Sequence, residues 1–319
     1  MDKFVIFTTP NIFPMKRIIL VALLLISFVV CFAQKKHALL IGIGNYPASS
    51  GWARIHGNLD IPIIREALTK QGFQDADIAQ LIDAQATKSA IVSSLESLAG
   101  KAGKGDVIYI HFSGHGQQIT DLNGDEDDMF DEAWIPYDAS KKYQAGSYEG
   151  ENHLVDDEIN VLISNIRDKV TTVGKIVVVS DACHSGSGTR GGDDDEDDVV
   201  RGTGAKFILP ASANSAGVKS IDEIQSRGET NKVSTKGEIV PWLSVAACKD
   251  YQTNHEYKDE DGHFCGILTY IISTDTRMFA SKAYTEIIEG WKQKMDELSE
   301  YPQSLIDEGK PSKSSKTLF

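Results

Sequence analysis

The sequence predicts an α/β fold: a mainly parallel central sheet flanked by helices. Two observations carry this. Short β-branched apolar runs alternate with longer segments whose apolar residues recur at helical spacing, the pattern of repeated βαβ units. The runs are continuous and stop abruptly at glycine or small polar residues, as strands buried in a sheet do.

In order, "KKHALLIGIGNY" (35–46) reads as the first strand and turns at Gly42 and Gly44. A helix follows from Asp60, with Ile61, Ile64 and Leu68 on one face. "DIAQLID" (77–83) is a second strand. "TKSAIVSSLESLAGKA" (87–102) starts on Thr87 as a cap and lines up Ile91, Leu95 and Leu98. "GDVIYIHFSGHG" (105–116) is a third strand running into a glycine turn, "DDEINVLISNIR" (156–167) a helix, and "KIVVVSD" (175–181) a fourth strand. Residues 188–238 are Gly-, Ser- and Asp-rich, with the acid run "DDDEDD", and read as an exposed linker. Order resumes with a strand in "EIVPWLSVAAC" (238–248) and helices at 264–273 and 282–298. The expected layout is a large portion over 34–187, the linker, and a smaller portion over 239–319 that extends the same sheet.

Residues 1–33 stand apart. Lys16-Arg17, an apolar run from Ile18 to Phe32 and the small Ala33 form a secretory signal peptide, with cleavage after Ala33 and an exported, periplasmic or secreted product. The run is short for a membrane span, so no membrane association is expected once it is removed; an uncleaved membrane anchor is the alternative reading. The 319 residues carry a net charge of −14, which argues against nucleic acid as a partner. The mature chain keeps Cys183, Cys248 and Cys265, an odd, widely spaced set that is not a disulfide framework.

Two strand ends carry chemistry. One yields His115 in "SGHG", the other Cys183 in "SDACHSG". A thiol nucleophile needs a base within hydrogen-bond reach, and the two need not be close in sequence. Both residues fall at the same edge of a parallel sheet, and the backbone N–H groups of Gly116 and Cys183 could form an oxyanion hole. That set suits acyl transfer. Zinc is the competing use of Cys and His, but no close ligand pair such as C-x-x-C occurs.

"SGHG" after one strand and "SDACHSG" after another resemble the caspase-like cysteine peptidases, and the metacaspase branch in its bacterial form above all. The resemblance implies a caspase-like three-layer sandwich and a cysteine endopeptidase with His115 and Cys183 as its dyad. Asp181 stands where the caspase signature has Gln. An acid there attracts Arg or Lys in a substrate rather than Asp. The resemblance implies cleavage of peptides and proteins after Arg or Lys, with Asp181 and Asp60 as pocket acids. Asp60 equally suits a helix cap. The resemblance also implies that the strand over 242–248 forms a pocket wall. It further implies calcium activation through Asp131, Asp156 and Asp157. "DLNGDEDDMFDE" (121–132) mimics a calcium loop in spacing, but its glycine is at the fourth position rather than the sixth. Self-processing within the linker is a further expectation, at basic residues that include Arg190, Arg201 and Lys206. No organic cofactor is expected. Two other readings stand beside this one: a caspase-like peptidase of different specificity, and a catalytically silent calcium-binding scaffold of the same fold.

Overall fold

Odd and even residues of each apolar run point to opposite faces, because a strand alternates its side chains. In the computed structural model those runs form a six-stranded sheet, ordered β11-β8-β7-β3-β1-β2. The structure describes residues 34–126, 128–183, 199–210, 242–249, 252–275, 282–312 and 316–319. Residues 1–33, expected to be a signal peptide, and most of the linker, including Arg190, lie outside them. The sheet is built from β1 (Lys36–Gly42), β2 (Ile78–Ile82), β3 (Val107–Ser113), β7 (Lys175–Asp181) and β8 (Leu243–Ala246), all parallel, with β11 (Ile306–Gly309) antiparallel at one edge.

Ala38, Leu40, Tyr109, Val177 and Val179 face one layer, with α1 (Gly57–Lys70), α4 (Ile267–Thr274) and α5 (Tyr284–Leu298). Leu39, Ile41, Ile108, Ile110, Ile176 and Val178 face the other, with α2 (Lys88–Lys101) and α3 (Asp156–Val170). The fold is therefore the three-layer α/β sandwich that the sequence predicts. Thr87 caps α2 as expected, accepting from the Ala90 N–H at 3.3 Å. Among the described residues, no helix is long and apolar enough to cross a membrane. Cys183, Cys248 and Cys265 are all free thiols, and all are buried.

Three departures from the sequence reading matter to the site. First, β4 (Gly116–Thr120), β5 (Phe130–Trp134) and β6 (Leu154–Val155) form a small second sheet. Its strands were hidden by polar residues that are buried and satisfied. Gln117, for example, donates to the Ala205 carbonyl at 2.7 Å. Second, a short hairpin, β9 (Glu256–Lys258) and β10 (Phe264–Gly266), precedes α4. Third, the linker is not exposed throughout. Residues 199–209 run across the body and pair at Val200 with His255, Gly202 with Gly116, and Phe207 with Ile119. Arg201 and Phe207 are buried.

The first helix packs directly on the strand ends. A Cβ on Gly57 would lie 2.5 Å from the Ser113 carbonyl oxygen and 2.7 Å from that of Ile43, both rigid backbone. Gly100, on the outer face of α2, has nothing within 4 Å of that position. Gly57→Ala should therefore lower stability by about 1–3 kcal/mol, whereas Gly100→Ala should be neutral or stabilising by up to about 1 kcal/mol. Urea unfolding of both variants checks the contrast, and equal effects would contradict the packing described.

Candidate active site

Parallel strands end together, and their register marks the edge. Gly42 of β1 pairs with Ser113 of β3, and Ser113 pairs with Asp181 of β7. His115 and Cys183 each lie two residues past this row, so they leave neighbouring strands at the same end. Strand order reverses there, since β2 flanks β1 on one side and β3 on the other. Such reversals are where open α/β sheets hold ligands.

His115 is held on several sides. Its ring stacks on Trp52 with centroids 4.7 Å apart, and Tyr46 tilts against it at 5.0 Å. Its backbone N–H donates to the Tyr46 hydroxyl at 3.0 Å, and that hydroxyl donates to the Ile135 carbonyl. His115 Nε2 lies 2.9 Å from the Ala53 carbonyl oxygen. A carbonyl only accepts, so Nε2 carries the hydrogen and Nδ1 keeps a lone pair. That Nδ1 is buried and has no hydrogen-bond partner among the described residues. Burial lowers the imidazole pKa to about 4, with Lys141 adding to the effect and the Ala53 contact opposing it. The ring is a neutral acceptor, oriented from behind.

Cys183 is buried. Its Sγ donates to the Gln252 carbonyl at 2.9 Å. Its backbone N–H donates to the Arg201 carbonyl oxygen at 2.8 Å. Gly202 follows so closely that a Cβ there would lie 2.8 Å from the Cys183 Cβ. Gly116 pairs with Gly202 on the other side. The peptide bond between Arg201 and Gly202 thus lies between the two groups expected to cradle an oxyanion. Cys248 approaches the Ala182 carbonyl at 3.7 Å, next to Cys183 in the chain.

Asp60 and Asp181 converge, and both are fully buried. Asp60 is not the cap of α1. That position belongs to His56, and the Asp60 carboxylate instead accepts from the Gly266 N–H at 3.0 Å and the Ser113 hydroxyl at 2.5 Å. Asp181 accepts from Asn254 Nδ2 at 2.9 Å and from the Thr269 N–H and hydroxyl, each at 2.8 Å. The fully buried guanidinium of Arg201 sits against both acids. Nη1 donates to Asp60 Oδ2 and to Ser113 Oγ, each at 2.6 Å, and lies 3.8 Å from Asp181 Oδ1. A third acid completes the ring. Arg201 Nε donates to Glu256 Oε1 at 3.0 Å, and Nη2 makes an ion-pair contact with it at 2.9 Å. Burial opposes the charge on Arg201, but Asp60, Glu256 and Asp181 outweigh it and raise its pKa well above the ordinary value. Burial would raise Glu256; Arg201 and His56 hold it low.

Sequence reasoning missed Trp52, Tyr46, Ser113, Thr269, Asn254 and Glu256. Each comes from a loop, a strand end, a hairpin or, for Thr269, the first turn of α4, where no local pattern marks it. The guanidinium's partners come from α1, β3, β7 and the β9–β10 hairpin rather than from the strand over 242–248.

Asp131, Asp156 and Asp157 fall in one acidic cluster above β4 and β5. The tightest trio there is Asp121, Asp125 and Asp131, whose carboxylate oxygens lie within 4.8 Å of one another. It shares only Asp131 with the expected set. Burial and then Asp121 and Asp157 push Asp131 up to about 8. Burial and then Glu132 and Asp157 push Asp156 well above the ordinary carboxyl range. Asp157 accepts from Asn123 Nδ2 and is raised to about 6, chiefly by burial. Asp156 Oδ1 is buried without a hydrogen-bond partner among the described residues. Crowded hard oxygen donors with an unsatisfied buried atom among them fit a hard divalent cation.

Residues 36–190 match the family described as metacaspase, peptidase C14 domain. The chain is 27% identical over 297 residues to Metacaspase-1 of Candida albicans, covering 82% of this chain and 62% of that protein. It is 27% identical over 300 residues to Metacaspase-1A of Aspergillus fumigatus, covering 84% and 68%. A shorter match, 35% identical over 159 residues, is to Metacaspase-7 of Arabidopsis thaliana, covering 47% and 35%. The chain thus spans a little under two thirds of the length of the Candida protein. Among solved structures, protein GSU0716 from Geobacter sulfurreducens shares the fold at 23% identity, with TM-score 0.58 over 89% of this chain and 97% of that one. Residues 36–190, the stretch that carries both His115 and Cys183, are thus similar to the metacaspase peptidase domain.

Proposed function

We propose that the chain is a cysteine endopeptidase that cuts after arginine or lysine, is exported under the direction of residues 1–33, responds to calcium, and processes itself between Arg201 and Gly202. The observation that carries this reading is the seat of Arg201. Its side chain fills the acidic pocket while its carbonyl oxygen rests on the Cys183 N–H at 2.8 Å. The chain's own arginine lies as a substrate would, with Gly202 packed against Cys183.

The chemistry follows from the groups present. His115 Nδ1 takes the Cys183 proton, and the sulfur attacks the carbonyl carbon of the residue in the pocket. Negative charge gathers on the carbonyl oxygen, where the Cys183 and Gly116 amides face it. The intermediate collapses to a thioester, and His115 returns the proton to the leaving amine. A water then gives its proton to His115 and attacks the thioester, releasing the acid and restoring the thiol. In the resting chain the thiol donates to Gln252, so that contact breaks before attack. Asp121, Asp125, Asp131 and Asp156 would hold calcium, which would supply the positive charge that their crowding lacks.

Three outcomes follow. The full chain should cleave a fluorogenic peptide with Arg before the bond and spare the same peptide with Asp there. Cys183→Ala should lower that activity by about 10⁴-fold or more. An intact Cys183 chain should yield a fragment beginning at Gly202, read by mass spectrometry. Cleavage after Asp would overturn the pocket assignment, and activity that survives Cys183→Ala would overturn the nucleophile.

Calcium should raise the melting temperature by about 5 °C or more at saturation, and Asp131→Asn should remove most of that gain. An unchanged melting curve would exclude the cluster as a calcium site.

The base should stay neutral well below the ordinary imidazole range, because burial holds His115 near 4 against 6.5 in water. Its protonation removes the proton acceptor, so activity falls as pH drops through the folded value. The acid limb of kcat should lie near pH 4, and a limb at 6.5 would mean a solvated imidazole in the working enzyme.

A further inference from the structure

We propose that Glu256 makes the pocket select arginine over lysine. The inference rests on the basic-pocket reading above and divides its substrates further. The pocket has two stations. Asp60 and Ser113 take one terminal nitrogen, Nη1, with Asp181 nearby. This station asks only for a positive charge at one point. Glu256 meets the opposite edge of the guanidinium, at Nε and Nη2.

Lysine has no such edge. Counting atoms along the side chain, its Cε falls where arginine has Nε, and its ammonium falls where arginine has Cζ. A lysine in this pocket would satisfy the first station and turn a methylene toward Glu256 Oε1. Glu256 cannot turn away to find another donor, because its side chain is fully buried. Its Oε1 also accepts from the His56 N–H at 2.7 Å, and its Oε2 lies 2.5 Å from His56 Nδ1. His56 in turn stacks on Phe264, with centroids 5.0 Å apart. The carboxylate is therefore fixed in place and would keep its charge without the N–H it meets in the arginine complex. A site built to hydrogen-bond a group disfavours an analogue that lacks it, and here the buried carboxylate would keep only its His56 partners and lose its charged N–H donor.

Glu256 acts on specificity and is neither the nucleophile nor the base. It lies on the β9–β10 hairpin, and its charge raises the His115 imidazole pKa slightly against the dominant effect of burial. Its removal should change which side chain is taken, and should move the pH dependence of the chemistry only toward lower pH.

The test is a ratio. Two peptides that differ only in Arg or Lys before the cut bond are compared by kcat/KM on the full chain and on Glu256→Gln. Arg201 competes equally with both peptides, so self-occupancy cancels from the ratio within each protein. The unmodified chain should prefer Arg by about tenfold to 100-fold. Glu256→Gln should lose most of that preference, chiefly through slower Arg cleavage, with the acid limb of kcat unmoved or shifted to lower pH. Should Glu256→Gln fail to fold, inhibition of the unmodified chain by butylguanidine and by pentylamine decides, with butylguanidine expected to bind at least about tenfold more tightly. Equal cleavage of Arg and Lys, an unchanged ratio in the variant, or equal inhibition by the two cations overturns the role of Glu256 and leaves the basic pocket standing. Cleavage of neither peptide, or of an Asp peptide instead, overturns the basic pocket and this role with it.

Discussion

Three carboxylates buried around one guanidinium set the geometry of this molecule's working end. Asp60, Asp181 and Glu256 lie out of reach of water, where an unpaired charge costs several kcal/mol. Directional donors offset part of that cost: the Gly266 and Thr269 amides, the Ser113 and Thr269 hydroxyls and the Asn254 side chain. These donors come from β3, from the loop before the β9–β10 hairpin, from its end and from the first turn of α4. Satisfying two aspartates therefore fixes how four separate parts of the chain meet. The ring still carries more negative than positive charge, so it demands a cation from whatever chain or molecule reaches it.

Much of this was legible in the sequence, and the reason is topological. β1, β3 and β7 are buried on both faces, so their runs of Leu, Ile and Val declare themselves without help from the rest of the protein. Once they are parallel neighbours, His115 and Cys183 must leave from the same edge. Asp181 was legible for the same reason, as the last residue of its strand. Glu256 was not, because it belongs to a three-residue strand whose position depends on contacts with α1. Nothing near His56 or Glu256 in the sequence says that they meet across 200 residues. The burial of Arg201 was equally invisible. A Gly- and Asp-rich linker reads as solvated, and only the pocket's charge gives an arginine within it a reason to go inside.

β4 joins two regions that look separate in the sequence. It begins one residue after His115, pairs with the linker at Gly202 and Phe207, and ends at the acid-rich turn that starts with Asp121. Phe207 is packed against Tyr148 and His153, and Gln117 links the same strand to His153 and Ala205. One short strand thus carries the imidazole at one end and the carboxylate cluster at the other, while its edge holds the segment that fills the pocket. Packed side chains, rather than a bare loop, connect the three.

The charge imbalance of the pocket also bears on how long the folded protein lasts. In any state where Arg201 leaves, the aspartates face one another with their compensating cation gone, and burial then favours opening of the surrounding elements. On the basic-pocket proposal, a basic peptide that entered would restore the balance and bind the folded form alone. By mass action it would stabilise that form by RT ln(1 + [L]/Kd). The lifetime of the folded chain would then follow the local supply of basic side chains.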